Sequence, residues 1–185
     1  KKLLSGLLTF SIALFYVSCE DEATEPVVTY DSFSIQAAMT LDAGADANAE
    51  IVRMVPGSET QAVFVSSAIN RLTVIDYTTT SFSFGKTYDL DPGSATAEMT
   101  SLDVSVKIGG ENYAAVCVAE ADCGKGKIMF VRLSDGVVVK EVEVGYNPDG
   151  TAFTKNGTHL IVANEDDRED RPCKPADRKG GSVSI

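Results

Sequence analysis

The sequence has no tryptophan and a single histidine, His159, and only 8% of its residues are aromatic. Without indole rings, a stacking platform for sugars or bases is poorly supplied. With one imidazole and no Gly-x-Ser-x-Gly elbow, a histidine-activated nucleophile has little to be built from. His159 opens a strand, where such a residue is more often structural than a base. Basic residues are scarce too: 16 stand against 27 acidic ones, a formal charge of −11. That sign argues against nucleic acid as a partner, whereas divalent cations or basic surfaces suit it. The four cysteines include no Cys-x-x-Cys spacing, which removes the usual support for a zinc site.

One apolar run stands out, Leu3–Val17, preceded by Lys1-Lys2 and ending in Val17-Ser18-Cys19. It is short for a bilayer span and is followed at once by Glu20-Asp21-Glu22, so residues 1–19 read as a signal peptide. A small residue directly before Cys19 resembles the lipobox of bacterial lipoproteins, where the cysteine takes a diacylglycerol and becomes the new N-terminus. Ordinary signal cleavage beside an incidental cysteine is the alternative. The acidic triplet resembles the export tag of surface lipoproteins in Bacteroidetes-type bacteria. The expected location is the cell envelope, at the outer membrane or cell surface, with the membrane engaged through the N-terminal lipid. Loss of both signal lysines takes the formal charge from −11 to −13. Residues 20–33 form an acidic, proline-containing tether. The chain opens without Met and stops inside the alternating segment Gly181–Ile185, so it reads as a piece of a longer protein.

From Phe33 onward, strand signals alternate with turns and helical period is nearly absent. Strands are expected at Ser34–Leu41, Ala49–Val55, Ala62–Val65, Arg71–Asp76 and Gly85–Leu90. A second set follows at Thr100–Val106, Tyr113–Ala119, Lys127–Leu133 and Val137–Val144. A third has Gly150–Phe153, His159–Ala163 and Ser182–Ile185. Aligning Ala62, Ala115 and Leu160 superposes the strongest strands at spacings of 53 and 45 residues, near a blade period of about 40–50. The expected fold is all-β: residues 34–185 as the N-terminal part of a β-propeller, with about three to four blades of four-stranded antiparallel sheet. A β-sandwich is the rival.

Several ordered motifs resemble the choice-of-anchor I family, related to the mesenchyme-specific cell-surface glycoproteins. They are Ala49-Glu50-Ile51-Val52, Ser101-Leu102-Asp103-Val104, Ala115–Glu120, Val144-Gly145 with Pro148-Asp149, Val162–Glu165 and Gly181–Ile185. The resemblance implies an extracellular, anchored β-propeller of seven or so blades. It also implies links to biomineralisation among eukaryotic relatives and phosphatase labels among some bacterial ones. The sequence departs from the family at Asp166, where glycine is usual after Asn164-Glu165, and at Tyr146-Asn147 before Pro148.

The candidate chemistry is acidic. Asn164–Asp170 holds five acids in seven residues, and hard cations take carboxylate and amide oxygens from such loops. Asn164, Glu165, Asp166 and Asp167 are candidate Ca²⁺ ligands. Glu120 and Asp122, in the equivalent loop of the preceding blade, are placed to converge with them. Against this, Arg168 and Arg171 offer internal pairing, and acidic surface loops are ordinary at this charge. Asp42–Glu50 imitates an EF-hand loop but lacks glycine at its sixth position and flanking helices. Cys117 reads as a buried thiol; Cys123 and Cys173, in loops after equivalent strands, are the candidate disulfide. Asn156-Gly157-Thr158 is a glycosylation sequon that also reads as a hairpin turn. The expected function is an envelope-anchored binding or adhesion module whose partner is an extracellular protein, glycan or mineral surface. A metal-dependent phosphatase- or lactonase-like hydrolase is the alternative.

Overall fold

Alternating apolar residues broken by glycine and asparagine turns make this chain fold back on itself in three antiparallel meanders. The computed structural model describes residues 48–120, 124–165 and 180–185. The first sheet runs in the order β1 (Val52–Met54), β2 (Gln61–Ser66), β3 (Arg71–Tyr77), β4 (Phe82–Asp89). The second runs β5 (Glu98–Val104), β6 (Tyr113–Ala119), β7 (Lys127–Arg132), β8 (Val138–Glu143). The third has three described strands, β9 (Pro148–Phe153), β10 (Leu160–Asn164) and β11 (Ser182–Ser184), with β10 in the middle. A 3-10 turn, Ser67–Ile69, joins β2 to β3 and ends at Asn70 in the left-handed region (φ 50°). No α-helix occurs among the described residues, so the expected all-β class holds. The strand expected at Ser34–Leu41 lies outside them.

Stacking of the sheets explains the hydropathy of each strand. On β6, Ala114, Val116 and Val118 pack with Val63, Val65, Leu72 and Val74 of the first sheet. The alternate residues Ala115 and Cys117 pack with Ile128, Val162 and the partly buried Phe153 and Leu160, toward the third sheet. Both faces of β6 are therefore covered, and its sequence is an unbroken apolar run. Burying each Val or Met of this core contributes about 1.5–3 kcal/mol. Among the described residues β8 pairs along one edge only, with β7, and all six of its residues are exposed.

The facing of side chains corrects the alignment read from sequence. Val63 and Val65 face forward onto the second sheet, so Ala62 and Phe64 point the other way. Ala115, aligned with Ala62, faces forward onto the third sheet, whereas Leu160 faces back onto the second. The sequence register is thus one residue out at the second sheet, because a one-residue slip in a period-2 pattern exchanges the two faces.

Contacts at the sheet edges lock the stack. Gly136 (φ 75°) closes the β7–β8 turn under the Tyr88 ring, where a Cβ would meet ring carbon at 2.1 Å. Tyr88 Oη donates to the Leu133 carbonyl and Lys86 Nζ to the Ser134 carbonyl, both at 2.7 Å. Side chains of β4 thereby hold the turn of the next sheet.

Candidate functional site

The first strands of the three sheets lie side by side, with β5 against β1 and β2 on one flank and β9 on the other. Asp103 occupies the centre of that arrangement. Its Oδ2 accepts the backbone N–H of Phe153 on β9 at 2.6 Å, and its Oδ1 lies 3.5 Å from Arg53 Nε on β1. One carboxylate therefore touches all three sheets. Thr100, also on β5, adds a hydroxyl bond to the Pro148 carbonyl of β9.

Where these strands begin, carboxylates gather. Glu50 precedes β1, Glu98 starts β5 and Asp149 lies near the start of β9. Burial, then the charge of Glu50, raises the Asp149 pKa above the ordinary carboxylate value. Glu50 is tied into a local network: its Oε1 accepts from Asn48 Nδ2 at 2.6 Å and from the Ser67 hydroxyl. Asn48 Oδ1 accepts from Ser66 Oγ at 2.9 Å and from the Ala68 N–H at 3.2 Å. These two residues of the EF-hand-like segment brace the β2–β3 turn; Asp42 and Asp46 lie outside the described residues.

The antiparallel order carries the candidate cation residues to this same end. Glu120 follows β6 and Glu165 follows β10, one per sheet. Glu120 Oε2 accepts from Ser94 Oγ at 3.2 Å, and the backbone N–H of Glu165 donates to the Asn147 carbonyl at 3.0 Å. Asn164 is buried, 3% exposed, and its amide is fully engaged. Its Oδ1 accepts the Gly145 N–H at 3.1 Å; its Nδ2 donates to Ser184 Oγ at 3.0 Å and to both oxygens of Ser182 at 3.2 and 3.3 Å. Gly145 is required there, since a Cβ would fall 2.5 Å from Asn164 Cγ. Asn164 thus ties β10 to β11 and to the β8–β9 connection. Asp122, Asp166 and Asp167 lie outside the described residues, as do Cys19, Cys123 and Cys173. Among the described residues, no three His, Cys, Asp or Glu side chains are grouped to hold a metal ion.

Cys117 is fully buried, as its apolar strand leads one to expect. Burial, and secondarily Asp149, push its thiol up to about 12 against the lowering effect of a Thr151 hydrogen bond. A thiol so protonated is a poor nucleophile at neutral pH. His159 is exposed at the β9–β10 turn, with Nδ1 2.9 Å from Thr158 Oγ1. In the sequon, Asn156 Oδ1 accepts from Thr158 Oγ1 at 2.8 Å and from Thr154 Oγ1 at 2.9 Å, which shapes that turn. Sequence reading met Asp103 only inside a family motif and Asn48 only inside the EF-hand-like segment, and gave neither a bridging role. The signal for Asp103 was an acid between Leu102 and Val104 in a strand that has little water-facing surface.

Comparison with known proteins places these elements in a wider set. A family profile for the choice-of-anchor I domain matches residues 50–185, from the network at Glu50 to the end of β11. No curated protein matches the chain. The match spans most of the sequence and every described sheet, and the chain belongs to the choice-of-anchor I domain family.

Proposed function

We propose that the protein is an exported, cell-surface β-propeller module that binds an extracellular partner and is held at the membrane by a lipid on Cys19. The contact of Asp103 with both neighbouring first strands carries the reading. In a propeller each blade presents its first strand to a common axis and covers the next blade with its face. Three meanders whose first strands adjoin, and whose middle sheet is buried on both faces, suit that scheme. The name of the choice-of-anchor I domain family supports the anchored reading.

The binding face is the end that gathers Glu50, Glu98, Glu120, Asp149 and Glu165. Its charge favours a basic protein surface or a mineral, with Ca²⁺ as bridging ion through the loop that begins at Asn164. Catalysis through a thiol or imidazole nucleophile is disfavoured by a buried, high-pKa Cys117 and a turn-bound His159.

Cells displaying the full-length protein test the proposal. They should adhere to basic matrix protein or calcium mineral, lose adhesion in EDTA, and release the protein when Cys19→Ala is introduced. Retention of the Cys19→Ala protein on the cell would overturn the lipid anchor. Turnover of phosphate esters or lactones by the purified protein, abolished by EDTA, would favour the hydrolase instead.

A further inference from the structure

We infer that the cavity between the first and second sheets is a site for a short zwitterion, an apolar dipeptide whose ammonium meets Asp76 and whose carboxylate meets Lys107. The cavity holds about 350 Å³, at the lower end of the range for small-molecule sites. Its walls are described residues of two adjacent sheets, at the end of the strands away from Glu50 and Glu98. The site is therefore independent of the acidic face proposed above.

Strand alternation builds the first wall. Val63, Val65, Leu72 and Val74 face the second sheet, and the same parity carries the cross-strand pair Gln61 and Asp76 onto that face. Beside them the pairing of β3 with β4 shifts register between Thr73 and Ile75, which sets Gly85 and Lys86 against Val74. Bulges re-aim side chains, and a strand glycine leaves room for a close approach. A Cβ on Gly85 would stand 2.7 Å from Asp76 Oδ2, so its absence lets that carboxylate lie across the strand. Lys86 reaches over to the Ser134 carbonyl and joins the two walls.

The second sheet supplies the opposite wall through residues 105–112, which connect β5 to β6. Ile108 and Glu111 exchange backbone bonds at 2.8 and 3.2 Å across a Gly109-Gly110 turn, with Lys107 just before it. Asn112 Nδ2 donates to the Ser105 carbonyl at 2.8 Å and to the Pro56 carbonyl at 3.2 Å. The loop is thus fastened to the β1–β2 turn before any ligand arrives, which spares binding the cost of ordering it.

The chemistry left unspent selects the ligand. Gln61 Nε2 is committed to Asp76 Oδ1 at 2.8 Å and Asn112 Nδ2 to its two carbonyls, so each amide has its oxygen to offer. Among the described residues, Asp76, Lys86, Lys107 and Glu111 form no ion pair with one another. Two acids and two lysines therefore line one cavity, a balance that suits a ligand of no net charge. Asp76 and Lys107 stand on different sheets, and a molecule charged oppositely at its two ends joins them through charge-assisted bonds. A free α-amino acid carries both charges on one carbon. A dipeptide separates them and places a peptide N–H between, a donor for the amide oxygens. Val55, Val74 and Leu133 give its aliphatic side chains an apolar wall.

Isothermal titration of the full chain with L-alanyl-L-leucine is the test, and saturable binding in the millimolar range or tighter is expected. Asp76→Asn and Lys107→Gln, both at exposed positions, should each weaken it about ten-fold or more without changing the melting temperature. Acetylating the dipeptide's amine should weaken binding to the parent but add nothing in Asp76→Asn; amidating its carboxylate should do the same with Lys107→Gln. The blocked peptides probe both contacts on the unaltered protein. Absence of saturation, equal affinity for the doubly blocked peptide, or equal affinity for free L-leucine would each overturn the inference.

Discussion

Asp103 and Phe153 stand fifty residues apart, and the carboxylate of one accepts the backbone N–H of the other at 2.6 Å. The bond joins the second sheet to the third, while the opposite oxygen reaches Arg53 on the first. Removing the carboxylate leaves a partly buried N–H without its acceptor. Asp103→Ala should therefore cost about 1–3 kcal/mol in denaturant unfolding. Asp103→Asn keeps an acceptor and should cost less, losing chiefly the Arg53 attraction. Equal stability of the Ala variant and the parent would refute the bridge.

Asp149 responds to pH in the opposite sense from a salt-bridged acid. Its folded-state pKa is raised by burial and by Glu50, so folding disfavours its ionised form. Its contribution to stability is full below the ordinary carboxyl pKa and is lost as pH rises through the raised value. Asp149→Asn should accordingly be more stable than the parent at pH 7, with the gain vanishing below about pH 4. Melting curves across that range, with and without salt, check the sign; salt should shrink the part due to Glu50.

Two glycines separate backbone strain from packing. Gly57 (φ 82°) has nothing within 4 Å of a Cβ, so Gly57→Ala should cost only the left-handed penalty, about 1–2 kcal/mol. Gly136 (φ 75°) adds the collision with Tyr88, so Gly136→Ala should cost about 1–3 kcal/mol more than Gly57→Ala. Equal losses in thermal unfolding would mean that the Tyr88 contact is not formed.

Asn164 distinguishes a strut from a ligand. As a strut, Asn164→Asp loses the amide donors to Ser182 and Ser184 and sets a charge among their oxygens, which should lower the melting temperature with or without calcium. As a calcium ligand, the same change would enlarge the calcium-induced stabilisation. Melting of both proteins in Ca²⁺ and in EDTA decides between them.

Cys117 should be silent to thiol reagents. With full burial and a pKa near 12, its labelling by maleimide at pH 8, mapped by peptide mass, should be negligible until the chain unfolds. Rapid labelling of the native protein would show that the interface between the second and third sheets opens.

Much of this fold was legible in the residues. Tyr113–Ala119 reads as an apolar strand with a buried thiol, and it forms β6 over those same residues, because only apolar side chains tolerate the burial on both faces that the fold imposes there. Gly157 (φ 69°) and the turn around Asn156 placed the β9–β10 hairpin, since few residues adopt that backbone without strain. β9 begins two residues earlier than expected, at Pro148, a position where a missing N–H costs a sheet little. Asp103 and Asn164 show where residue type stops informing. An acid within a strand and an asparagine before a run of acids look alike in sequence, whether they bind water, metal or backbone.

The sequence alone determined the strands, the turns and the acidic sign of the surface, because these depend on alternation, φ preference and charge within a few residues. The tertiary structure decided which face of each strand meets which neighbour. A strand apolar on both sides, such as β6, carries no mark of front or back, and only contact with Val63 on one side and Val162 on the other assigns them. The same contacts turned Asp103 into a tie across three sheets and Asn164 into a brace between strands.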